Sequence, residues 1–316
     1  MASYDEPHHP WTCPPEYVER FQGKTLDLGP GAFDTLEGKP AHQQRWAQEA
    51  GVRERTGKYH HPMMLGCNSY NDSQIGRTIQ AARASCEARG EPLWIIYTSD
   101  HGDHMGAHGL TTKGATGYEE NTRVPLIVRP PEGTSARVQK SVVSHLDILP
   151  TLMDIAGLPQ PDCLDGQSFL ELCERADADE RRVAFTEYTR YEVGHDGFGG
   201  LQPMRMFVRG PWKLVLNLFQ TDELYHLGED PAELHNRIDD STCAAQRDEL
   251  HHELIEWMYQ HIDPWRGEAW ERRPWHTIEK PIWNAPMRPV PDDGYRPTYI
   301  DYDTGLPTRG IAKQFE

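Results

Sequence analysis

Apolar and polar positions follow two rhythms along this chain, and the change between them marks its organisation. Tyr70, Ile75, Ile79 and Ala82 recur at helical spacing with Asp72 and Gln74 on the polar side, so a helix is expected from Cys67 to Arg89, ended by Gly90. After a Gly-Glu-Pro turn comes Leu93-Trp94-Ile95-Ile96-Tyr97-Thr98, a continuous apolar run rich in β-formers. Such a run after a helix predicts a strand buried on both faces in a parallel sheet. Ser99 to Glu120 is polar and Gly-rich without periodicity, and Val124-Pro125-Leu126-Ile127-Val128-Arg129 reads as a second strand stopped by Pro130 and Pro131. A short helix follows over Asp147 to Ala156, ended by Gly157-Leu158-Pro159. Alternation of helix and buried strand predicts an α/β domain built as three layers, α/β/α.

The texture then changes. Val183 to Glu187, Met204 to Val208 and Lys213 to Asn217 are short β-prone runs between Gly and Pro turns, followed by a helical stretch from about Ala244 to Gln260. They predict a small antiparallel sheet with one helix. From Asp263 onward Trp265, Trp270, Trp275 and Trp283 are interleaved with Pro281, Pro286, Pro289 and Pro291. That is too aromatic for simple disorder and too rich in proline for regular structure. The expected organisation is an α/β domain over 1–175, an antiparallel α+β subdomain over 176–262 and an extended tail over 263–316. The tail would pack on its own domain or on a neighbouring subunit, which would make a homo-oligomer. Residues 1–66 read as loop and short helix, and no internal repeat is found.

Composition narrows the function classes. A mean hydropathy of -0.73 and the absence of any run near the ~20 apolar residues of a bilayer span argue against a membrane protein. No secretory leader is read at the N-terminus, which favours the cytoplasm. The net charge of -17 repels polyanions and argues against a nucleic-acid surface. An anionic substrate would therefore need positive charge gathered locally. The six cysteines are scattered without a CxxC and are expected to be free thiols.

Chemistry concentrates after the first strand. Asp100 and His101 follow it directly, at the carboxyl end where open α/β sheets bind ligands. A hard carboxylate oxygen beside a borderline imidazole nitrogen is a plausible pair of metal ligands. Asp-His-Gly alone is weak, since a polar turn closed by Gly102 reads the same way.

The surrounding string is more specific. Thr98-Ser99-Asp100-His101-Gly102, Gly106-Ala107-His108-Gly109-Leu110, Lys113-Gly114 and Tyr118-Glu119-Glu120-Asn121-Thr122-Arg123-Val124-Pro125 occur in one order. Upstream stands Pro7-His8-His9-Pro10, downstream Ser144-His145-Leu146-Asp147 with Asp165-Gly166-Gln167-Ser168, then Trp212 to Asn217 and Glu223-Leu224-Tyr225-His226-Leu227. Together these resemble the sulfatase family of the alkaline phosphatase superfamily, from residue 4 to about 240. The resemblance implies an alkaline phosphatase-like fold, with Asp100 and His101 as two ligands of a divalent metal. Ca²⁺ is the ion expected, with Mg²⁺ or Mn²⁺ as alternatives. Lys113 then matches the lysine on the sulfate or phosphate oxygens, and His8 the histidine that protonates the leaving group. His9 competes with His8 for that role, and Asp103 and His108 are candidates for orienting the ligands. Arg123 is expected to pair with Glu119 or Glu120 rather than touch substrate.

The family also implies a strand with paired aspartates and a nucleophile in a Cys/Ser-x-Pro/Ala-x-Arg motif. Cys13-Pro14-Pro15-Glu16-Tyr17 lacks the arginine, and Asp239-Asp240 and Asp292-Asp293 stand in other contexts. No nucleophile is assigned, so a truncated chain is expected. The leading expectation is a sulfuric ester hydrolase acting on a small anionic sulfate ester. The alternatives are a phosphonate monoester or phosphodiester hydrolase of the same superfamily, and an inactive fragment serving as a structural or interaction module. Gly23–Arg55 and Tyr188–Gln202 are the loops expected to set specificity.

Overall fold

The computed structural model describes residues 1–50, 57–131, 136–175, 183–190, 201–276, 299–300 and 307–308. They fall into two units, Met1–His276 and Thr277–Glu316.

The first unit begins with short elements: α1 (Pro15–Glu19), β1 (Leu26–Asp27), α2 (Ala41–Glu49) and β2 (Lys58–Tyr59), with β1 and β2 antiparallel. The long helix α3 (Pro62–Arg89) starts earlier than its apolar spacing suggests. Pro62 pre-sets the first turn, and the His61 ring caps it by accepting the Met64 N–H at 3.1 Å. Gly90, left-handed at φ 67°, closes the helix as expected. Gly66 lets α1 cross closely, because a Cβ there would lie 2.9 Å from the Val18 backbone nitrogen.

The strand β3 (Ile95–Thr98) follows, then α4 (Glu119–Thr122) and β4 (Leu126–Arg129). Here the structure departs from the parallel sheet expected. β3 and β4 pair antiparallel, with Ile96 opposite Val128 and Tyr97 opposite Ile127. The polar segment between them turns the chain straight back onto its own strand. Nor is the pair buried on both faces. Leu126 and Val128 pack against Phe169 and Leu172, whereas the cross-strand pair Tyr97 and Ile127 points outward, 40% and 62% exposed. α5 (Ile148–Ile155) and α6 (Leu170–Glu174) complete the covered face. Ser144 and Asp147 form a reciprocal cap ahead of α5.

The antiparallel subdomain forms as expected and gains a fourth strand. β5 (Val183–Arg190), β6 (Leu201–Arg209), β7 (Trp212–Asn217) and β8 (Glu223–His226) lie in that order, followed by α7 (Ala244–Gln260) and α8 (Glu268–Glu271). The row Phe185, Phe207, Leu214, Leu224 shares one face and meets Leu250, Leu254 and Met258, one stripe of α7. The other face carries Met206, Val215 and Lys213 and receives the loop before α4, where a Cβ on Gly117 would lie 2.7 Å from Val215 Cγ2. Lys213, fully buried, donates to the Gly117 carbonyl at 2.9 Å and pairs with Glu119 (2.7 Å) and Glu233 (2.9 Å).

Residues 263–276, assigned to the tail by sequence, pack on this subdomain. Trp270 is 1% exposed, Arg205 pairs bidentately with Asp263 (2.5 and 2.9 Å), and Arg273 Nε and Nη2 each reach Asp222 at 2.7 Å. The second unit contributes the antiparallel pair β9 (Tyr299–Ile300) and β10 (Pro307–Thr308). Trp283, Pro281, Pro286, Pro289 and Pro291 lie outside the described residues, as do 191–200 of the expected specificity loop. All six cysteines are free. No helix among the described residues is long and apolar enough to cross a membrane.

Candidate functional site

The end of β3 fixes the geometry of Asp100 and His101. Asp100 Oδ1 accepts the His101 N–H at 2.9 Å and the Ser99 hydroxyl at 3.3 Å, with Oδ2 beside the His101 ring on a side chain 82% exposed. His101 Nδ1 donates to the Gly102 carbonyl at 2.8 Å, so Nε2 is the ring nitrogen left to act as a ligand. That nitrogen lies 3.3 Å from Asp100 Oδ2. Burial alone would raise the Asp100 pKa, but the His101 imidazole and the hydrogen bonds from the His101 backbone and Ser99 hold it below the usual value. Gly102 is fixed by space: a Cβ there would lie 1.9 Å from the Glu120 carbonyl oxygen, and its own N–H donates to Asn121 O at 2.9 Å.

Lys113 and His8, 105 residues apart, meet at 3.0 Å between Nζ and Nε2. His8 Nδ1 lies 2.7 Å from the His9 carbonyl and must donate to it, which leaves Nε2 to accept from the ammonium. The Lys113 loop is held on both sides. His104 N donates to Thr112 O at 2.8 Å, Asn121 Nδ2 donates to Gly114 O at 3.0 Å, and a Cβ on Gly114 would meet the Trp46 indole at 2.8 Å. No hydrogen bond or ion pair among the described residues joins Lys113 or His8 to Asp100 or His101.

The remaining candidates lie elsewhere. His9 is exposed and stacked on His8, with ring centroids 4.3 Å apart. Asp103 is exposed and accepts the Met105 N–H at 2.8 Å. His108, fully buried, has Nδ1 2.6 Å from Asp34 Oδ2 and Nε2 3.3 Å from Glu120 Oε2, and its ring stacks on Tyr118 at 3.7 Å. The Nε2 contact is an ion pair without an aligned hydrogen bond. Burial would lower the His108 pKa, but the two carboxylates outweigh it and raise it. Asp34 and Glu120 are held low in return. Asp34 also takes Lys39 Nζ at 2.5 Å. Sequence reading missed Asp34, Lys39 and Glu233 because nothing local marks a polar loop residue as buried. Arg123 pairs with Glu119 at 3.5 Å.

The absence of a nucleophile string needs a correction. Cys243-Ala244-Ala245-Gln246-Arg247 meets the Cys-x-Ala-x-Arg spacing. The structure gives it a structural role. Cys243 is 5% exposed in the subdomain core with its thiol toward Asp240, and Arg247 donates to the Ile238 carbonyl at 2.7 Å. A buried thiol packed in an apolar core is an inert one.

Comparisons with known proteins place the chain in a family. The sulfatase family pattern matches residues 1–158, and that of the C-terminal part of N-sulphoglucosamine sulphohydrolase matches 106–260. The chain is 46% identical to the sulfatase YidJ of Escherichia coli, over 98% of this chain and 61% of that protein. It therefore spans about three-fifths of that relative's length. A solved protein in complex with its substrate D-glucosamine-2-N,6-O-disulfate superposes with a TM-score of 0.66 at 22% identity, covering 83% of this chain and 65% of that one. The phosphonate monoester hydrolase of Agrobacterium radiobacter superposes with a TM-score of 0.55 at 29% identity, covering 63% of this chain and 41% of that one. The fold is that of the alkaline phosphatase-like sulfatases.

Proposed function

This chain belongs to the sulfatase family, and on that premise we propose that it forms part of a metal-dependent sulfuric ester hydrolase. The observation that carries the reading is the 3.0 Å contact of Lys113 with His8. Two groups distant in sequence and suited to opposite ends of one ester, an ammonium and an imidazole, sit within reach of a single small anion.

Asp100 Oδ2 and His101 Nε2 suit a divalent ion as part of a ligand set. They are one hard oxygen and one imidazole nitrogen, 3.3 Å apart and solvent-accessible. Among the described residues no third His, Cys, Asp or Glu joins them. They would hold the ion, Ca²⁺ in this reading with Mg²⁺ or Mn²⁺ as alternatives, which when bound polarises the sulfuryl oxygens. Lys113 offsets the negative charge that grows on those oxygens in the transition state. His8 delivers a proton from Nε2 to the departing ester oxygen once it is protonated, its ring held by the bond from Nδ1 to the His9 carbonyl. No nucleophile is assigned to this chain, so turnover requires a nucleophile-bearing segment in addition to it.

A second reading, hydrolysis of a phosphonate monoester or phosphodiester, is supported by the likeness to the Agrobacterium radiobacter hydrolase. The same lysine and metal ligands would serve it.

Calorimetric titration of the purified chain with Ca²⁺, Mg²⁺ and Mn²⁺ tests the proposal, alongside assays on an aryl sulfate and an aryl phosphonate monoester. With two ligands, binding is expected to be weak, with Kd about 10⁻³ M, and lost in Asp100→Ala. A faster phosphonate rate in the relative that spans the whole pattern would favour the second reading. No metal binding, together with no sulfate affinity dependent on Lys113, would leave an interaction module in its place.

A further inference from the structure

The segment that carries His8 is a strap laid along α3. The Tyr4 and Thr78 hydroxyls meet at 2.5 Å, the Asn71 side-chain amide donates to the Glu6 carbonyl at 2.8 Å, and the Cys67 thiol donates to the Thr12 carbonyl at 3.7 Å. Cys67, Asn71 and Thr78 are spaced by four and seven residues, so they share one face of the helix. Beyond them the strap enters α1, which Gly66 lets lie close against α3. His8 sits between the Asn71 and Cys67 contacts. Its N–H donates to the Asp5 carbonyl at 2.9 Å and closes a turn whose second residue is Glu6. Asn71 therefore grips the turn from which His8 projects.

For stability alone, Asn71 is a poor residue to place here. Its Oδ1 is out of solvent with no hydrogen-bond partner among the described residues. Reversing the amide would set that oxygen against the Glu6 carbonyl, so the stranded acceptor follows from the grip on Glu6. Leaving a buried acceptor unpaired costs at least as much as one neutral hydrogen bond returns. A leucine, branched at the same carbon, would fill the space without that cost but could not hold the carbonyl. We propose that Asn71 is a positioning residue for His8. Through the Glu6 carbonyl it sets where the imidazole stands along α3, and so brings Nε2 within 3.0 Å of Lys113. The inference rests on the reading of Lys113 and His8 as the pair that takes the sulfuryl group and protonates the departing oxygen. Asn71 touches neither of them. A drift of the strap by about 1 Å would suffice to break their hydrogen bond.

The test uses the full chain labelled with ¹⁵N-histidine, with the His8 ring nitrogens followed by NMR, inorganic sulfate as the ligand and a thermal melt on each variant. In the parent chain, Lys113→Ala should shift the His8 Nε2 resonance. In Asn71→Leu that resonance should already have moved, and adding Lys113→Ala should move it no further. Asn71→Leu should weaken inorganic sulfate about three- to tenfold, the worth of one hydrogen bond, while its melting temperature stays within about 2 °C of the parent. Asn71→Gln, which keeps the amide donor, should recover most of the His8 signal and the sulfate affinity. The proposal is overturned if His8 in Asn71→Leu keeps its resonance and its response to Lys113→Ala, if Asn71→Gln behaves as Asn71→Leu does, or if the loss of sulfate affinity merely follows a general loss of stability. A His8 resonance that depends on Asn71, in a chain whose sulfate affinity ignores Lys113→Ala, would uphold the positioning role and remove the reading it rests on.

Discussion

His108 Nδ1 lies 2.6 Å from Asp34 Oδ2, both side chains out of solvent, and this contact ties the loop ahead of α2 to the segment that carries Lys113. Glu120 faces the other nitrogen at 3.3 Å, and Lys39 shares Asp34. Removing one partner from a buried ion pair strands the other charge, so Asp34→Asn should cost about 3–5 kcal/mol in chemical denaturation. The pH dependence follows from the shifts. The His108 pKa is raised from its ordinary 6.5, so its contribution is complete below about pH 6.5 and lost as pH rises through the raised value. Asp34 and Glu120 are lowered, so theirs is complete above about 4.5 and lost as pH falls through the lowered values. The stability gap between the protein and His108→Gln should be widest near pH 5.5 and shrink above neutrality. A gap that does not vary with pH would contradict the charged pair.

His104 is the opposite case. Burial, with the His108 charge beside it, takes its pKa from 6.5 to about 3, so it is neutral in the folded protein. Its neutral form accounts for stability present above pH 6.5 that is lost as pH falls toward 3. Its Nε2 lies 2.9 Å from the Thr116 hydroxyl, which a glutamine can still reach. His104→Gln should therefore flatten the acid limb of the stability profile between pH 6 and 4 while leaving the alkaline limb in place. Thermal melts across that range would show whether the acid limb survives.

Gly102 permits the turn that presents Asp100 and His101. A methyl group there would lie 1.9 Å from the Glu120 carbonyl oxygen, which is backbone in α4 and has little room to yield. Gly102→Ala should cost about 3 kcal/mol and displace the two side chains together. The check is a melt combined with Ca²⁺ calorimetry. Loss of stability with unaltered metal affinity would mean that the turn does not position Asp100 and His101.

How far the sequence discloses the molecule depends on the range over which each signal acts. Gly90, the α7 boundaries and the small antiparallel sheet were legible because caps, turns and side-chain period are local. The pairing of β3 with β4 was not. A continuous apolar run states that a strand is apolar on both sides, and Tyr97 and Ile127 show that one of those sides remains uncovered in this chain. For the candidate site, Asp100, His101, Lys113 and His8 are proposed from their order in a family pattern, and the sequence alone could not bring His8 to Lys113. Asp34 and Lys39 gave no signal, because their burial is decided by His108 and Glu233, far along the chain. Cys243 misleads in the opposite direction, carrying the spacing of a nucleophile motif in a core position.

Arg273 shows where the aromatic segment belongs. Its guanidinium holds Asp222 by two 2.7 Å contacts and the Asn217 carbonyl at 2.8 Å, and the Trp275 indole N–H reaches the same carboxylate at 2.8 Å. Arg273→Ala should destabilise the subdomain by about 3–5 kcal/mol, since Asp222 is left buried without its partner. Ending the chain after Ile262 should abolish its cooperative melt, because Trp270 and the Asp263 carboxylate leave the core with it. A near-UV circular dichroism signal that persists after that truncation would show the segment to be dispensable.

Lys113 and His8 should separate by leaving group. In the proposed chemistry Lys113 acts on oxygens that gain charge whatever the alcohol, so Lys113→Ala should lower kcat/KM about 10²–10³-fold across a series of esters, measured in a form that carries the nucleophile. His8, as the proposed acid, matters only where the departing oxygen needs a proton. His8→Ala should therefore cost about 10²-fold or more on alkyl and sugar sulfates and little on a nitrophenyl sulfate, whose phenolate leaves unaided. Because Lys113 donates to His8 Nε2 in the resting geometry, the lysine variant should also change the pH profile of the alkyl substrates. Equal losses in His8→Ala for good and poor leaving groups would assign His8 to binding, with no part in proton transfer.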